Sequence, residues 1–280
     1  MKASRKYITT KDYLVSGESF DLIYDESLEL LKTDPVPPIE EIPSYYNSEE
    51  YISHTDNKKG LLEFLYGIVK NHSLRKKVSL VNKLNKGAGS ILDVGAGTGD
   101  FLREAKKKGW KTFGVEPNPS ALKRAQEKGI SLESELGAFV DQKMDVVTLW
   151  HVLEHIPNLE ETIETLSKIV KPGGTLIIAV PNYKSYDAKH YGEFWAAYDV
   201  PRHIWHFSQN SIEKLFKAHF KLEDIKPLYF DSFYVSLLSE KYKTDSKFSL
   251  KAFWIGCKSN WRARRTNEYS SLIYCLKKPK

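Results

Sequence analysis

A short apolar run, Ser90-Ile-Leu-Asp-Val94, enters the glycine turn Gly95-Ala-Gly-Thr-Gly99 and leaves it into a helical stretch, Phe101–Lys108. Strand, glycine turn and helix in that order open a βαβ unit, which limits the chain to a small set of folds. The alternation continues. Lys111–Val115 reads as a strand, Ser120–Lys128 as a helix and Met144–Trp150 as a strand. Leu159–Val170 is an amphipathic helix, Lys171-Pro-Gly-Gly174 a turn and Thr175–Val180 a strand. These strands are continuously apolar rather than alternating, as strands covered on both faces must be. The expectation is an α/β fold around a mostly parallel sheet with helices on both faces.

The flanking regions are less regular. Residues 1–44 are polar without a clear period and end in the stiff connector Asp34-Pro-Val-Pro-Pro38 and Pro43. Tyr45–His54 reads as a short helix or loop. Apolar residues at Leu61, Leu62, Leu65, Ile68 and Val69, then at Leu74, Val78, Val81 and Leu84, predict two helices broken near Asn71-His72. Residues 183–207 are rich in aromatics and histidine. Ser208 is a good N-cap for a helix to Phe216, Leu222–Leu228 fits a strand, 231–267 reads as helical, and Ser271–Leu276 fits a last strand.

Composition removes several classes. The longest apolar runs are strand length, short of the about 20 residues a membrane span needs. No apolar stretch follows the basic start Met1–Tyr7, so no signal peptide is expected. Two cysteines, Cys257 and Cys275, exclude a disulfide framework and a cysteine zinc site, and point to a reducing, cytoplasmic setting. The net charge of +6 permits an anionic partner without demanding one; the blocks Arg103–Lys111 and Arg262–Arg265 read as solvated helix faces.

The glycine loop can be tested against its possible ligands. A phosphate loop would end in Gly-Lys-Ser/Thr, whereas Gly99 is followed by Asp100 and Phe101. A dinucleotide loop would space its glycines as Gly-x-Gly-x-x-Gly, but here they stand at 95, 97 and 99, and Asp100 would face pyrophosphate. A nicotinamide-dependent oxidoreductase is thereby disfavoured.

The segment instead resembles motif I of the class I S-adenosylmethionine-dependent methyltransferases, acid-x-Gly-x-Gly-x-Gly, on Asp93, Gly95, Gly97 and Gly99. Gly114-Val-Glu-Pro-Asn118 resembles the family's second-strand end, Asp145–Ile156 its fourth strand and following motif, and Lys171–Ile178 its turn into the fifth strand. The four motifs cover about residues 88–182. The resemblance implies a Rossmann-like seven-stranded, mostly parallel sheet with an N-terminal helical extension and a lid insertion. It implies S-adenosylmethionine as cofactor. Asp93 would orient its ammonium, directly or through water, and Gly95, Ala96 and Gly97 would give backbone contact. Glu116 would take both ribose hydroxyls, Pro117 and Leu136 would pack on the adenine, and Trp150 and His151 would line the methionine end. The third-strand region, Gly129–Gly137, lacks a clean acidic adenine reader; Glu135 is the nearest.

His151-Val-Leu-Glu-His155 matches a zinc-protease pattern, His-x-x-Glu-His. A zinc site there would leave the glycine loop without a role, and no metal is expected. Phe20–Pro35 resembles the end of a small zinc ribbon that precedes some of these domains, with Tyr24 and Ser27 where Cys-x-x-Cys would stand. It is read as a metal-free relic or as an ordinary polar extension. The expected division is an N-terminal extension or cap over 1–57 and a methyltransferase domain over 58–280, with lid segments at 183–207 and 231–267.

Methyl transfer from a sulfonium is an in-line displacement in which the enzyme chiefly positions the reactants. A base is needed when the acceptor is a hydroxyl, an ammonium or an acidic carbon. Asp199-Val-Pro-Arg-His-Ile-Trp-His-Phe-Ser208 resembles a stretch of a bacterial branch related to the ubiquinone-biosynthesis methyltransferases. His203 is the first candidate base, followed by His206 and His155. Arg202 could bind an acidic group on the acceptor, with Tyr183 and Trp195 beside it; alternatively Asp199, Arg202 and His203 form a structural polar network. Tyr46, Tyr51 and His54 would close the site from the N-terminal side. The expected acceptor is a small or lipid-like molecule. RNA or protein acceptors and a non-catalytic cofactor-binding module are the alternatives, since no RNA-binding module is recognisable.

Overall fold

Six strands form the central sheet: β4 (Ser90–Val94), β5 (Lys111–Val115), β6 (Met144–Trp150), β7 (Val170–Pro181), β9 (Lys221–Pro227) and β10 (Ser271–Lys277), in the order β5-β4-β6-β7-β10-β9. The ladders between β4, β5, β6 and β7 are parallel; β10 runs antiparallel to both of its neighbours. In the computed structural model the described residues are 4–38, 40–46, 61–245 and 249–280, with the backbone alone described for residue 4 and for 61–70.

The continuous apolar runs are explained by two separate cores. Leu176, Ile178 and Val180 of β7 point into one, with Leu92 of β4 and Leu149 of β6. Ile177 and Ala179 point into the other, with Ile91 and Val146. No residue from Leu176 to Val180 has exposed surface. The first core is closed by α4 (Leu159–Ile169) and α6 (Gln209–Phe216), the second by α1 (Leu61–Asn85), α2 (Asp100–Lys107) and α3 (Pro119–Glu127). Strand residues alternate across the sheet, so both alternate sets must be apolar when helices cover both faces. Local signals set the helix starts: Asn118 caps α3 ahead of a first-position proline, and Ser208 and Ser211 form a capping box on α6.

Three expectations are corrected. The sheet has six strands, not seven. The segment after α3 is reduced to one parallel bridge, Val115 to Glu133, because Ile130 and Leu132 are its only apolar residues before Leu136 and it gains two backbone bonds there. No break falls at Asn71-His72: α1 is one helix, since neither residue removes a backbone donor as proline would. Val78 and Val81 of α1 are buried, and the side chains of Leu61, Leu62, Leu65, Ile68 and Val69 lie outside the described residues.

The third correction concerns the N-terminal extension, which is a β-sheet rather than helical. Strands β1 (Ser4–Lys11), β2 (Ser19–Asp25) and β3 (Leu30–Asp34) pair antiparallel and are extended by β8 (Trp205–His206) through Leu31–His206 and Lys32–Trp205. Phe20 and Leu22 alternate inward on β2 and join a third core with Tyr183, Trp195, Tyr198 and Val200. The turn given to Cys-x-x-Cys by the ribbon resemblance is closed by Asp25, whose Oδ1 accepts from the Ser27 and Leu28 amides. Glu29 clamps this sheet to the main domain through Lys184, Lys214 and Asn210, and Lys214 first among them holds its carboxyl down at about 2. Residues 47–60, with the expected boundary at 57/58, lie outside the described residues.

Candidate active site

The loops leaving β4, β5 and β6 meet at the carboxyl edge of the sheet, where open α/β sheets bind ligands. Gly95 has φ 70°, and a Cβ there would lie 2.4 Å from Val152 Cγ2. Glycine therefore lets the β4 and β6 loops close on each other. Gly97, at φ 53°, has nothing within 4 Å of the position its Cβ would take, so its backbone faces open space. Gly99 starts α2, and the Ala96 amide binds the Val115 carbonyl.

Two carboxylates flank this loop. Glu116 Oε2 accepts from the Gly97 amide at 2.8 Å, and Oε1 accepts from Asn118 at 2.9 Å. Each oxygen keeps a further lone pair. Asp93 is buried beneath the loop and accepts from Thr148 Oγ1 at 2.6 Å; burial raises its carboxyl to about 7, against the pull of Thr148 and Lys77. Lys77 of α1 places its ammonium 4.5 Å from the centre of the Trp150 ring, and burial lowers its pKa despite Asp93 and Asp231. Trp150 Nε1 is buried without a hydrogen-bond partner. Pro117 is exposed, and Leu136 opens a 3-10 turn that packs on the first core. Glu135 is exposed.

His151 adopts φ 58° and lies between two acids, with Nδ1 3.4 Å from Glu154 Oε1 and Nε2 3.2 Å from Asp231 Oδ2. Burial alone would lower its pKa, but the two carboxylates raise it to about 9, so the ring is a cation at neutral pH. Asp231 starts helix α7 (Asp231–Thr244), which this pair fastens to the site. Glu154 is buried; burial would raise its carboxyl, yet His151 and the neighbouring imidazoles hold it below the usual range.

His155 and His203 stand edge to face with ring centres 4.6 Å apart. His155 Nδ1 lies 3.0 Å from the Arg202 carbonyl, and His203 Nδ1 2.9 Å from the Ala197 carbonyl. A carbonyl only accepts, so each Nδ1 carries a hydrogen, and in the neutral ring Nε2 keeps its lone pair; on His203 that atom stands 3.9 Å from Asp199 Oδ2. Tyr46 Oη approaches His155 Nδ1 at 3.2 Å. Burial, and His203 next to it, lower His155 to about 4. Donor atoms of Glu154, His155 and His203 all lie within 4.8 Å of one another.

Four expected substrate or base residues are placed elsewhere. Arg202 does not face an acceptor: it binds Asp12, Asp199 and the Tyr45 carbonyl, and its side chain is 1% exposed. Trp195 is buried and donates to Asp187, which also holds Ser259 and Ser270. Tyr183 is buried in the third core and donates to the Glu29 carbonyl. His206 is buried against Thr33 Oγ1, where burial holds its pKa well below the usual value, so it is a neutral structural ring. In each case a partner already uses the polar group, one more than 150 residues away for Arg202, Tyr183 and His206 and one eight residues away for Trp195. Tyr51 and His54 lie outside the described residues. Lys77 and Asp231 escape a reading of the sequence because each sits in a charged helical stretch, with no spacing that links it to the glycine loop.

The site fits S-adenosylmethionine on its own geometry. The open face at Gly97, the carboxylates of Asp93 and Glu116 and the unpartnered Trp150 indole are a cradle, two acceptors and a donor. A cavity of about 550 Å³ opens at the other end of the strands, lined by Ser90, Lys111, Asp145 and Lys171.

Comparison with known proteins agrees with the fold. Residues 63–221 match the family model of a methyltransferase domain. The chain is 31% identical over 108 residues to the ubiquinone biosynthesis O-methyltransferase of Azoarcus sp. (strain BH72), covering 34% of this chain and 46% of that protein. It is 33% identical over 128 residues to the ubiquinone biosynthesis O-methyltransferase of Vibrio atlanticus (strain LGP32), covering 41% and 52%. The chain thus spans about half the length of these curated relatives. An S-adenosylmethionine-dependent methyltransferase from Archaeoglobus fulgidus shares the fold, with a TM-score of 0.52, 20% identity, and coverage of 75% of this chain and 93% of that one.

Proposed function

The chain belongs to the class I S-adenosylmethionine-dependent methyltransferases and is related to their ubiquinone-type branch, and on that footing we propose that it methylates a hydroxyl oxygen of a small, lipid-like acceptor. The observation that carries this reading is the pair of Nε2 atoms on His155 and His203: His155 ends the turn whose Val152 meets Gly95, and Ile204, next to His203, binds the Glu154 carbonyl of that turn. A neutral amine attacks a methyl group unaided; a hydroxyl needs its proton removed.

S-adenosylmethionine, when bound, supplies the electrophilic methyl group. Glu116 accepts hydrogen bonds from the ribose hydroxyls, and Asp93 holds the ammonium. Gly95, Ala96 and Gly97 lie along the cofactor; Pro117 and Leu136 flank the adenine, and Trp150 and His151 the methionine end. His203 Nε2 takes the acceptor's proton, His155 shares that wall, and the Glu154 carboxylate stabilises the imidazolium that forms. Tyr46 borders the site from the N-terminal sheet. The two cysteines and this chemistry suit a cytoplasmic enzyme. No helix of the described residues is long and apolar enough to cross a membrane.

The test is label transfer from methyl-labelled S-adenosylmethionine into a cell extract split into RNA, protein and small-molecule fractions. Label should enter the small-molecule fraction, and His203→Asn should slow it about a hundredfold with cofactor affinity unchanged. Label in RNA or protein would reject the acceptor class. Cofactor binding without label in any fraction would favour a binding module.

A second reading uses the same three groups. Glu154 Oε2 has no hydrogen-bond partner and Oε1 has only the His151 ion pair, and Glu154, His155 and His203 are the donor set of a divalent-cation site. There the imidazoles would be ligands instead of proton acceptors. Transfer lost to a chelator and restored by zinc or manganese would select it.

Cofactor binding should also depend on pH. Asp93, at about 7, is largely protonated in the free protein below that pH, while a cationic ammonium binds its ionised form. Affinity is therefore expected to rise as pH increases to about 7, by up to about tenfold per unit, and to level off above it. Calorimetry at pH 6 and pH 8 checks this, and Asp93→Asn should flatten the dependence.

A further inference from the structure

Helices α7 and α8 (Leu250–Thr266) pack as an antiparallel hairpin, with Ser232 bonded to the Gly256 carbonyl at one end and Lys251 to Glu240 at the other. The hairpin carries apolar residues on both faces. Inward, α8 buries Ala252, Ile255, Gly256, Ser259 and Ala263, and α7 buries Ser232, Val235, Ser236, Ser239 and Glu240, with Val235 and Ile255 in the third core. Outward, α8 presents Leu250, Phe253, Trp254 and Trp261, of which Leu250 and Trp254 are each 68% exposed. These positions fall at i, i+3, i+4 and i+11, one stripe of a helix. Phe230, Tyr234 and Leu237 make a matching stripe along α7, and the rings of Phe233 and Phe253, 5.4 Å apart, join the two.

A surface helix ordinarily turns its large apolar residues to the core, and a contiguous apolar surface marks an interaction site. Here Val235 and Ile255 anchor the hairpin to the third core and small residues let its helices pack closely, while every aromatic side chain of α8 faces outward. Among the described residues the large exposed hydrophobics outside this hairpin are Tyr7, Val15 and Val140, together with Tyr229 just ahead of it.

Charge identifies the occupant. Residues 229–266 carry eight lysines and arginines against three acids, so +5 of the chain's net +6 lies in this segment. The exposed Arg264 and Arg265 border the aromatic stripe of α8, and Arg265 lies over the Trp261 ring at 5.5 Å. A second copy would bring two such charges together. An anionic bilayer surface complements both features, with aromatic and leucine side chains entering the headgroup boundary and cations pairing with the lipid charge.

We propose that the α7–α8 hairpin docks the protein on the surface of an anionic phospholipid bilayer. Its root lies at the active site, where Asp231 holds His151 at 3.2 Å. A lipid-like acceptor could thus reach the site from the membrane, but docking itself does not depend on methyl transfer and is measured without cofactor.

The test is co-sedimentation of the full chain with vesicles of phosphatidylglycerol and phosphatidylcholine, against pure phosphatidylcholine, at low salt. Binding should be more than tenfold stronger on the anionic vesicles, shift tryptophan emission to the blue, and weaken in high salt. Phe253→Ser with Trp254→Ser should reduce binding at least tenfold with the circular dichroism unchanged, because both residues are exposed. Arg264→Glu with Arg265→Glu should remove the preference for anionic lipid. No sedimentation with either vesicle, or variants that bind like the parent chain, would overturn the proposal. So would a dimer abolished by Trp254→Ser, which assigns the face to a second copy, or tighter binding to RNA than to vesicles.

Discussion

Glu116→Ala is expected to weaken S-adenosylmethionine binding about a thousandfold in calorimetry, a change of roughly 4 kcal/mol. Two losses combine. The carboxylate would accept from two ribose hydroxyls, and charge-assisted hydrogen bonds contribute about 1.5–3 kcal/mol each. It also holds the Gly97 amide at 2.8 Å and the Asn118 amide at 2.9 Å, so its removal loosens the loop that carries the open face of the cradle. Glu116→Gln separates the contributions: the amide keeps one acceptor oxygen but no charge, and should fall between the two. Parent-like affinity in the alanine variant would mean that the cofactor does not lie across β4 and β5, and the site assignment would fail with it.

Arg202→Met is expected to lower stability by about 3–5 kcal/mol, because it strands two carboxylates that the guanidinium now pairs. Arg202 bonds Asp199 at 2.7 Å and Asp12 at 2.9 Å, and the Asp12 side chain has no exposed surface. Burial alone would raise the Asp12 carboxyl, but Arg202 and the Ser16 and Leu14 amides hold it below the usual range. At about 2–4 °C per kcal/mol for a chain somewhat under this size, the melting midpoint should fall by roughly 10 °C in calorimetry. The contact also joins the N-terminal sheet to the segment that carries His203, so loss of protection in amide exchange should begin at β1 to β3. A variant that melts like the parent but no longer turns over would restore Arg202 as an acceptor-binding residue.

The parts of this protein that could be read in advance rest on short-range chemistry. The glycine turn after Val94, the proline and asparagine at the start of α3 and the serine cap of α6 act within a few residues of themselves. The doubly buried strands announced themselves because both alternate sets of side chains are apolar. Within the site, the acids at 93 and 116 were legible from their place at strand ends beside the glycines. The N-terminal strands were harder to read: β1 is largely polar, and β3 is completed by β8, about 170 residues away. The inward alternation of Phe20 and Leu22 was the one local signal for them.

The histidines mark the same boundary. His155, His203 and His206 are alike in sequence, yet main-chain carbonyls occupy the Nδ1 atoms of the first two, leaving Nε2 without a hydrogen bond on His155 and 3.9 Å from Asp199 Oδ2 on His203, while the third is buried against Thr33. Those carbonyls belong to residues 197 and 202, set by a turn with Asp199 at φ 37° and held by Arg202 to Asp12, 190 residues earlier. The sequence alone determined the α/β alternation, the glycine cradle and its two carboxylates, since backbone sterics and side-chain alternation act between near neighbours. Only the tertiary structure decided which imidazole nitrogens are occupied by main-chain carbonyls, that Arg202 is a strut, and that α8 turns its aromatics outward. Each of these depends on which distant group satisfies a buried polar atom or covers an apolar face.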